Sequence, residues 1–273
     1  MAFARRSAVY MILIGVLVLF LSPFGWLVIT ALKDSSELRV MPIHWWPHHP
    51  NLGNFHDALT HIKYFAYARN SLTIAGIYSV LVTLASAWAG YGFARLDAPG
   101  KRVIFGVLMS TMMLPQIITL IPTYLLFARI NLLNTYMPWV LWGLAGAPFL
   151  IFLFRQFFSN MPKELEEAAI VDGCGSARIF WRVFLPQSWP VIATSLILSF
   201  SWSWGDYVAP ALLLDSDRTT LTVKLATGYV NAHGAPMSNL VAAGAVMYVV
   251  PVLALFLIMQ RGFVSGISTS GLK

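Results

Sequence analysis

Three scarcities in this sequence settle its class. Cys174 is its single cysteine, so no disulfide can close within the chain and no cysteine-based metal site can be assembled from it. Charged residues make up only 11% of the chain, well below the share in an average soluble domain. No G-x-x-x-x-G-K-[ST] occurs, because Gly100 and Lys101 lack the upstream glycine and are followed by Arg102. The chain therefore has no phosphate cradle of its own, and any ATP that drives it must be hydrolysed elsewhere.

Apolar residues take the place of what is missing. They make up 58% of 273 residues and raise the mean hydropathy to +0.70, which marks an all-α integral membrane protein. The formal charge of +7 does not point to nucleic acid, since the basic residues lie in loops between apolar runs and form no basic face.

Six uncharged runs approach the length of about 20 helical residues needed to span a bilayer. They are 9–32, 71–94, 103–126, 132–154, 191–205 and 240–260, and all are read as transmembrane helices because backbone groups in lipid must be satisfied internally. Pro186, Pro190 and Pro210 bracket the fifth, which is expected to start earlier or to kink. The first follows Arg5 and Arg6 but is too long, and lacks the small-residue site, for a cleaved signal peptide, so it is expected to stay as an anchor. With the N terminus in the cytoplasm, eleven of 18 basic residues fall inside and seven outside over longer loops. That bias places both termini and the 162–190 loop in the cytoplasm.

His44, His48, His49 and His56 lie in the first outer loop, where a metal reading is tempting because imidazole is a common ligand. Their spacing is irregular and they sit among prolines and tryptophans, so an interfacial role is favoured and no metal is expected.

The 162–190 stretch, PKELEEAAIVDGCGSARIFWRVFLPQSWP, is too patterned for a plain connector. Asn160 can cap a helix over about 163–171, Pro162 fits before its first turn, and Glu164, Glu166 and Glu167 favour its positive end. Leu165, Ala168 and Ala169 share one stripe, where the two alanines let a partner come close. Gly173 and Gly175 permit positive φ and end this helix. Ser176 can cap a second, with Ile179, Phe180, Val183 and Phe184 as its apolar face and Arg178 and Arg182 as its basic one. Pro186 ends that helix and Pro190 opens the next span.

Glu167, Ala168, Ala169, three residues, Gly173, nine residues, then Val183, Phe184, Leu185 and Pro186 resemble the EAA loop of ABC importer permeases, usually EAA, three residues, G, nine residues, I-x-L-P. Val183 replaces the isoleucine, Asp172 fits the common D-G pair, and Cys174 stands where alanine is usual. Asn70 and Ser71, the block GYGFARLDAPGKR over 90–102, residues 155–158 and the tail 260–273 extend the resemblance to the carbohydrate-import, MalG-like permeases over nearly the whole chain.

The resemblance implies a type I ABC importer permease fold with six transmembrane helices and a cytoplasmic coupling helix. It implies an N-terminal helix and extracytoplasmic loop at 1–69, an ABC type-1 transmembrane domain at 70–261 and a cytoplasmic tail at 262–273. Glu167, Ala168, Ala169, Asp172, Gly173, Val183, Leu185 and Pro186 would meet a partner ATPase dimer, which carries the ATP and Mg, so the chain binds no cofactor directly. Gln260, Arg261, Gly266 and Lys273 would bring the tail to the same ATPase. Trp202, Trp204, Asp206 and Tyr207 resemble a segment near the outer end of the fifth span, with Gly205 in place of the usual asparagine; rings that stack on sugars and a carboxylate that accepts their hydroxyls suit a solute pathway, and interfacial anchoring suits them as well. The implied protein is a non-enzymatic permease subunit in the cell membrane, working with a second permease and an extracytoplasmic solute-binding protein to import a sugar or sugar-like solute. An ion-coupled secondary transporter or a membrane assembly scaffold is the alternative; the first is disfavoured because the six runs hold no Asp, Glu, Lys or Arg.

Overall fold

A computed structural model describes residues 2–42 and 44–270. In chain order the helices are α1 (Ala2–Ala31), α2 (Gly53–His61), α3 (Tyr64–Arg95), α4 (Lys101–Ser110), α5 (Gln116–Arg129), α6 (Met137–Ala145) and α7 (Pro148–Ser159). They continue with α8 (Glu164–Val171), α9 (Ser176–Ile179), a π-helical turn at Phe180–Phe184, α10 (Leu185–Gln187), α11 (Trp189–Gly205), α12 (Val208–Leu213), α13 (Leu221–Thr227) and α14 (Ser238–Ser270). Among the described residues the extended pairing is a single bridge between Val230 and Pro236.

Among the described residues, four stretches are each long and apolar enough to cross a membrane: Val9–Ala31, Tyr64–Arg95, Met137–Ser159 and Ser238–Gln260. Two bent pairs, Lys101–Met113 with Ile117–Arg129 (101°) and Ser176–Gln187 with Trp189–Gly205 (81°), bring the count to six where each pair is one span. The expected run 103–126 is thus not one straight helix. Pro115 disfavours helical geometry in Leu114, which takes φ −81° and ψ 122°, and the chain turns before α5 begins.

The fourth span starts at Met137 rather than at residue 132 and is interrupted at Gly146, whose φ is +74°. The serine hydroxyl of Ser86 accepts the N–H of Ala147 at 3.0 Å there, supplying a partner that the broken helix lacks. This span also runs on to Ser159, so Arg155 lies within the helix, its guanidinium carbon 4.1 Å from the Phe105 ring centroid. A cation on an aromatic face near a helix end is an economical place for such a charge.

The chain forms two compact units. The first comprises residues 1–68 and 223–250 and is tied by polar side chains. Asn54 donates to the carbonyls of Ala31 and Lys33, both at 2.9 Å, and accepts from the Asn239 amide at 3.0 Å. Tyr229 donates to Ala58 at 2.7 Å and Tyr64 to Gly244 at 3.2 Å. Lys33 is buried, donating to the His44 carbonyl beneath the Trp26 ring. The stretches expected as loops between spans hold ordered helices, α2 within 32–63 and α12 and α13 within 206–239.

The second unit comprises residues 69–222 and 251–273. Near one end of α3, Asn70 donates to the Thr219 carbonyl at 3.1 Å and Ser71 accepts the Leu221 N–H at 2.8 Å. Phe127, Trp139 and Leu213 pack around Ile74 in the same region. At the other end of α3, Ala87 and Tyr91 join Phe154 and Phe158 of α7 in an apolar cluster that reaches into the 162–190 loop. Gly90 makes this crossing close, since a Cβ there would lie 2.6 Å from the Phe154 Cβ and 2.9 Å from the Arg155 nitrogen.

Candidate functional site

The 162–190 loop is a folded hairpin of short helices with one face sunk into the cluster. Ala169 of α8, Ile179 of α9 and Phe180 and Phe184 of the π turn are buried in it, with Met161, Cys174, Val183 and Leu185 packed alongside. The Tyr91 ring lies 5.4 Å from that of Phe180 and 5.1 Å from that of Phe184, and Phe158 lies 5.6 Å from Phe184. Aromatic pairs at such separations contribute beyond their buried area.

Each end of α8 has a specific cause. Asn160 does not cap it. Asn160 instead closes α7, its N–H donating to Phe157, and Lys163, the N-cap residue of α8, makes no side-chain cap. Proline at 162 and three acids in the first turn suit that end without a side-chain cap. At the far end Gly173 has φ +75°, its N–H donates to Ile170 at 2.9 Å, and the Cys174 N–H donates to Ala169 at 2.9 Å. These two bonds form a Schellman motif, with Cys174 and Ala169 meeting in the apolar cluster beneath it. Gly175 has φ −78° and needs no glycine-specific backbone; it precedes α9, where Ser176 makes no side-chain cap.

Pro186 does not end the second helix either. The preceding turn has widened, the Leu185 N–H donating to the Phe180 carbonyl five residues back, and a proline lacking an N–H is accommodated directly after it. The break falls at Ser188, whose hydroxyl donates to the Phe184 carbonyl. From there Pro190 opens α11 in its first turn.

The candidate residues divide by face. Glu167, Ala168, Asp172 and Pro186 are exposed, as are Ile170 and Val171, the latter at 86%. Ala169 is buried against the chain's own cluster, so of the alanine pair only Ala168 faces out. Val183 and Leu185 are half-buried supports of the same cluster.

Arg95 is the last residue of α3 and lies within the 90–102 block. Its guanidinium donates to the Phe158 carbonyl at 3.1 and 2.7 Å and to the Met161 carbonyl. It also stands 3.5 Å from the Glu166 carboxylate. A basic residue closing an apolar span at the edge of a motif-bearing loop is the signal that could have marked it.

The remaining candidates are dispersed. Trp204 is buried and stacked on Phe200 at 5.7 Å, while Trp202 is exposed and meets the Phe149 ring in a T-shaped contact at 6.2 Å. Asp206 accepts the N–H groups of Val208 and Ala209 at 3.0 and 3.3 Å at the start of α12. Burial pushes its carboxyl pKa up, and those two hydrogen bonds pull against the shift. Tyr207 is exposed. Gln260 lies in α14, which runs as helix through Arg261 and Gly266 to Ser270. Lys273 lies outside the described residues. Among the described residues, no group of three or more His, Cys, Asp or Glu side chains could hold a metal ion.

Comparison with known proteins places this architecture. Residues 65–268 match the family described as "Binding-protein-dependent transport system inner membrane component". The chain is 33% identical to the arabinooligosaccharides transport system permease protein AraQ of Halalkalibacterium halodurans, over 90% of this chain and 89% of that protein. It is 30% identical to the sulfoquinovosyl glycerol transport system permease protein SmoH of Agrobacterium fabrum, over 93% and 89%. It is 31% identical to the sn-glycerol-3-phosphate transport system permease protein UgpE of Yersinia enterocolitica, over 95% and 94%. In fold it superposes on a chain of a crystal structure of a bacterial ABC transporter involved in the import of the acidic polysaccharide alginate, with TM-score 0.80 and 21% identity, covering 95% of this chain and 97% of that one.

Proposed function

The chain belongs to the family of binding-protein-dependent transport system inner membrane components, and from that premise we propose that the exposed face of its 162–190 loop seats a cytoplasmic ATPase dimer. The chain is a multi-pass membrane permease subunit of an ABC importer, a transport component. Its partners in this reading are a second permease, the ATPase dimer that holds ATP and Mg, and an extracytoplasmic solute-binding protein. The excess of basic residues on the side of the loop and of both termini supports a cytoplasmic placement.

The single observation that carries the reading is the division of the loop into two faces. One face is fused to α3 and α7 through the apolar cluster, and the other presents Glu167, Ala168, Ile170 and Val171 outward. A movement imposed on the outer face would pass directly to two spans. Closure of the ATPase on ATP would then rock the paired permeases between inward-facing and outward-facing states, and Glu167 is placed to pair with a basic group on the ATPase.

The cargo class follows from the relatives, whose names specify an oligosaccharide, a sugar glycoside and a glycerol phosphate. A polyhydroxylated, sugar-like solute is the reading they support, with the exposed rings of Trp202 and Tyr207 near the end of α11 as candidate pathway surfaces. The tail continues α14 from Gln260 to Ser270 and is a second candidate contact with the ATPase. The test is purification of the tagged chain from its native membrane, followed by reconstitution. An ATPase and a second permease should elute with it, and uptake should require both ATP and the binding protein. Uptake driven by an ion gradient without ATP would contradict this reading.

A further inference from the structure

One side chain joins four elements at the base of the loop. Arg95 ends α3, and its guanidinium reaches the carbonyls of Phe158 in α7 and of Met161 just beyond it. Its Nη1 meets Glu166 in the first turn of α8 at 3.5 Å, and its Cζ lies 5.0 Å from the ring centroid of Phe184 in the π turn. The Arg95 side chain is only 6% exposed and that of Glu166 19%, so water screens the pair weakly. Carbonyls at a helix C-terminus lack intrahelical donors and carry the negative end of the dipole, which suits a cation there. A lysine would not be equivalent, because its ammonium is a compact point charge with three donors and lacks the planar five-donor fork of a guanidinium.

The pair also sets an angle. Glu166 and Ala169 are three residues apart and therefore lie on one face of α8. Ala169 is buried in the apolar cluster, and Glu166 is held by Arg95. Two attachments fix the direction of a short helix, whereas Ala169 alone would leave it a pivot. Glu164 and Glu167, in the same turn, are exposed; of the three acids in that turn, Glu166 is turned inward.

We propose that Arg95 and Glu166 are positioning residues for energy coupling, a latch that fixes α8 against the ends of α3 and α7 so that displacement of the loop moves those spans. This rests on the reading of the loop as the ATPase seat. The distinguishing quantity is ATP hydrolysed per solute imported, which a merely structural contribution to assembly would leave unchanged.

The experiment uses the whole transporter in proteoliposomes with its binding protein, comparing wild type with Glu166→Gln, Glu166→Lys and Arg95→Gln. The ratio should rise about fivefold or more in Glu166→Gln and further in Glu166→Lys, in the range of a typical coupling free energy, while the ATPase stays bound. Arg95→Gln combined with Glu166→Gln should be no worse than Arg95→Gln alone, since Glu166 acts only through its pair with Arg95. A ratio within about twofold of wild type in both Glu166 variants, in assembled transporters that import solute, overturns the latch and leaves the ATPase seat standing. Wild-type transporter that neither retains an ATPase nor imports with ATP overturns the seat itself. Glu166 is partly exposed, so its variants decide the matter even where Arg95→Gln does not accumulate.

Discussion

The 162–190 loop and the segment 32–63 both leave the apolar spans, yet they are held by opposite means. The loop is an apolar structure, with Phe158, Phe180, Phe184 and Tyr91 interleaved and the Arg95–Glu166 ion pair at its base. Segment 32–63 is anchored by amides and hydroxyls, with Asn54 bridging Ala31, Lys33 and Asn239 and Tyr229 bonded to Ala58. Apolar packing tolerates substitutes of similar volume, whereas a buried polar network fails when any member loses its partner. The difference teaches where each region is vulnerable: the loop to a change of volume, the segment to a change of chemistry.

That contrast can be broken most forcefully at Phe158. Phe158→Ala should cost about 3 kcal/mol or more through the cavity it leaves, seen as a lower thermal midpoint of the purified chain in detergent. Phe158→Leu should recover most of the loss. A smaller effect is expected at Asn54, where Asn54→Leu keeps the branched shape but strands the two carbonyls and the Asn239 amide. The cost should be about 2 kcal/mol, and no apolar residue of similar size should recover it. If Asn54→Leu were as stable as wild type, segment 32–63 would be held by packing after all.

The smallest effect concerns Asp206. Its folded-state pKa is raised, with burial as the first cause, so the folded protein binds more protons than the unfolded chain between the usual carboxylate range and the raised value. Stability therefore falls as pH rises through that window. Asp206→Asn retains an acceptor for the Val208 and Ala209 N–H groups and carries no charge. It should melt higher than wild type at neutral pH, with the gap closing in acid; a gap that widened in acid would reverse the sign.

Much of this was legible in the sequence, for a physical reason. Apolar runs of spanning length are dictated by the bilayer, and the EAA spacing is local, so both could be read residue by residue. Gly173 was legible because few side chains accept a positive φ. What escaped was set by distance or by compensation. Arg95 bonds to residues 63 and 66 positions away, and Asn54 to one 185 away, neither of which leaves a periodic trace. Pro186 read as a helix stop because the π turn that accommodates it cannot be inferred from residue types. Pro115 read as part of a span, though its restriction of Leu114 was available to a stricter application of the proline rule. Ala169 read as a partner-facing residue because spacing alone does not say which side of a stripe the chain itself will cover.

The central claim is that the rigid turn after α8 carries force between an ATPase and the spans, and Gly173 tests it most directly. No neighbouring atom lies within 4 Å of a Cβ built there, and its φ is +75°, so substitution probes backbone conformation without a clash. In the reconstituted transporter, Gly173→Val should import about tenfold more slowly or worse, as a penalty of ~1–2 kcal/mol on the left-handed conformation implies. Gly173→Asn, which tolerates that region, should stay within about threefold of wild type. Membrane insertion should be unchanged in both. Wild-type import by a fully inserted Gly173→Val protein would contradict the account.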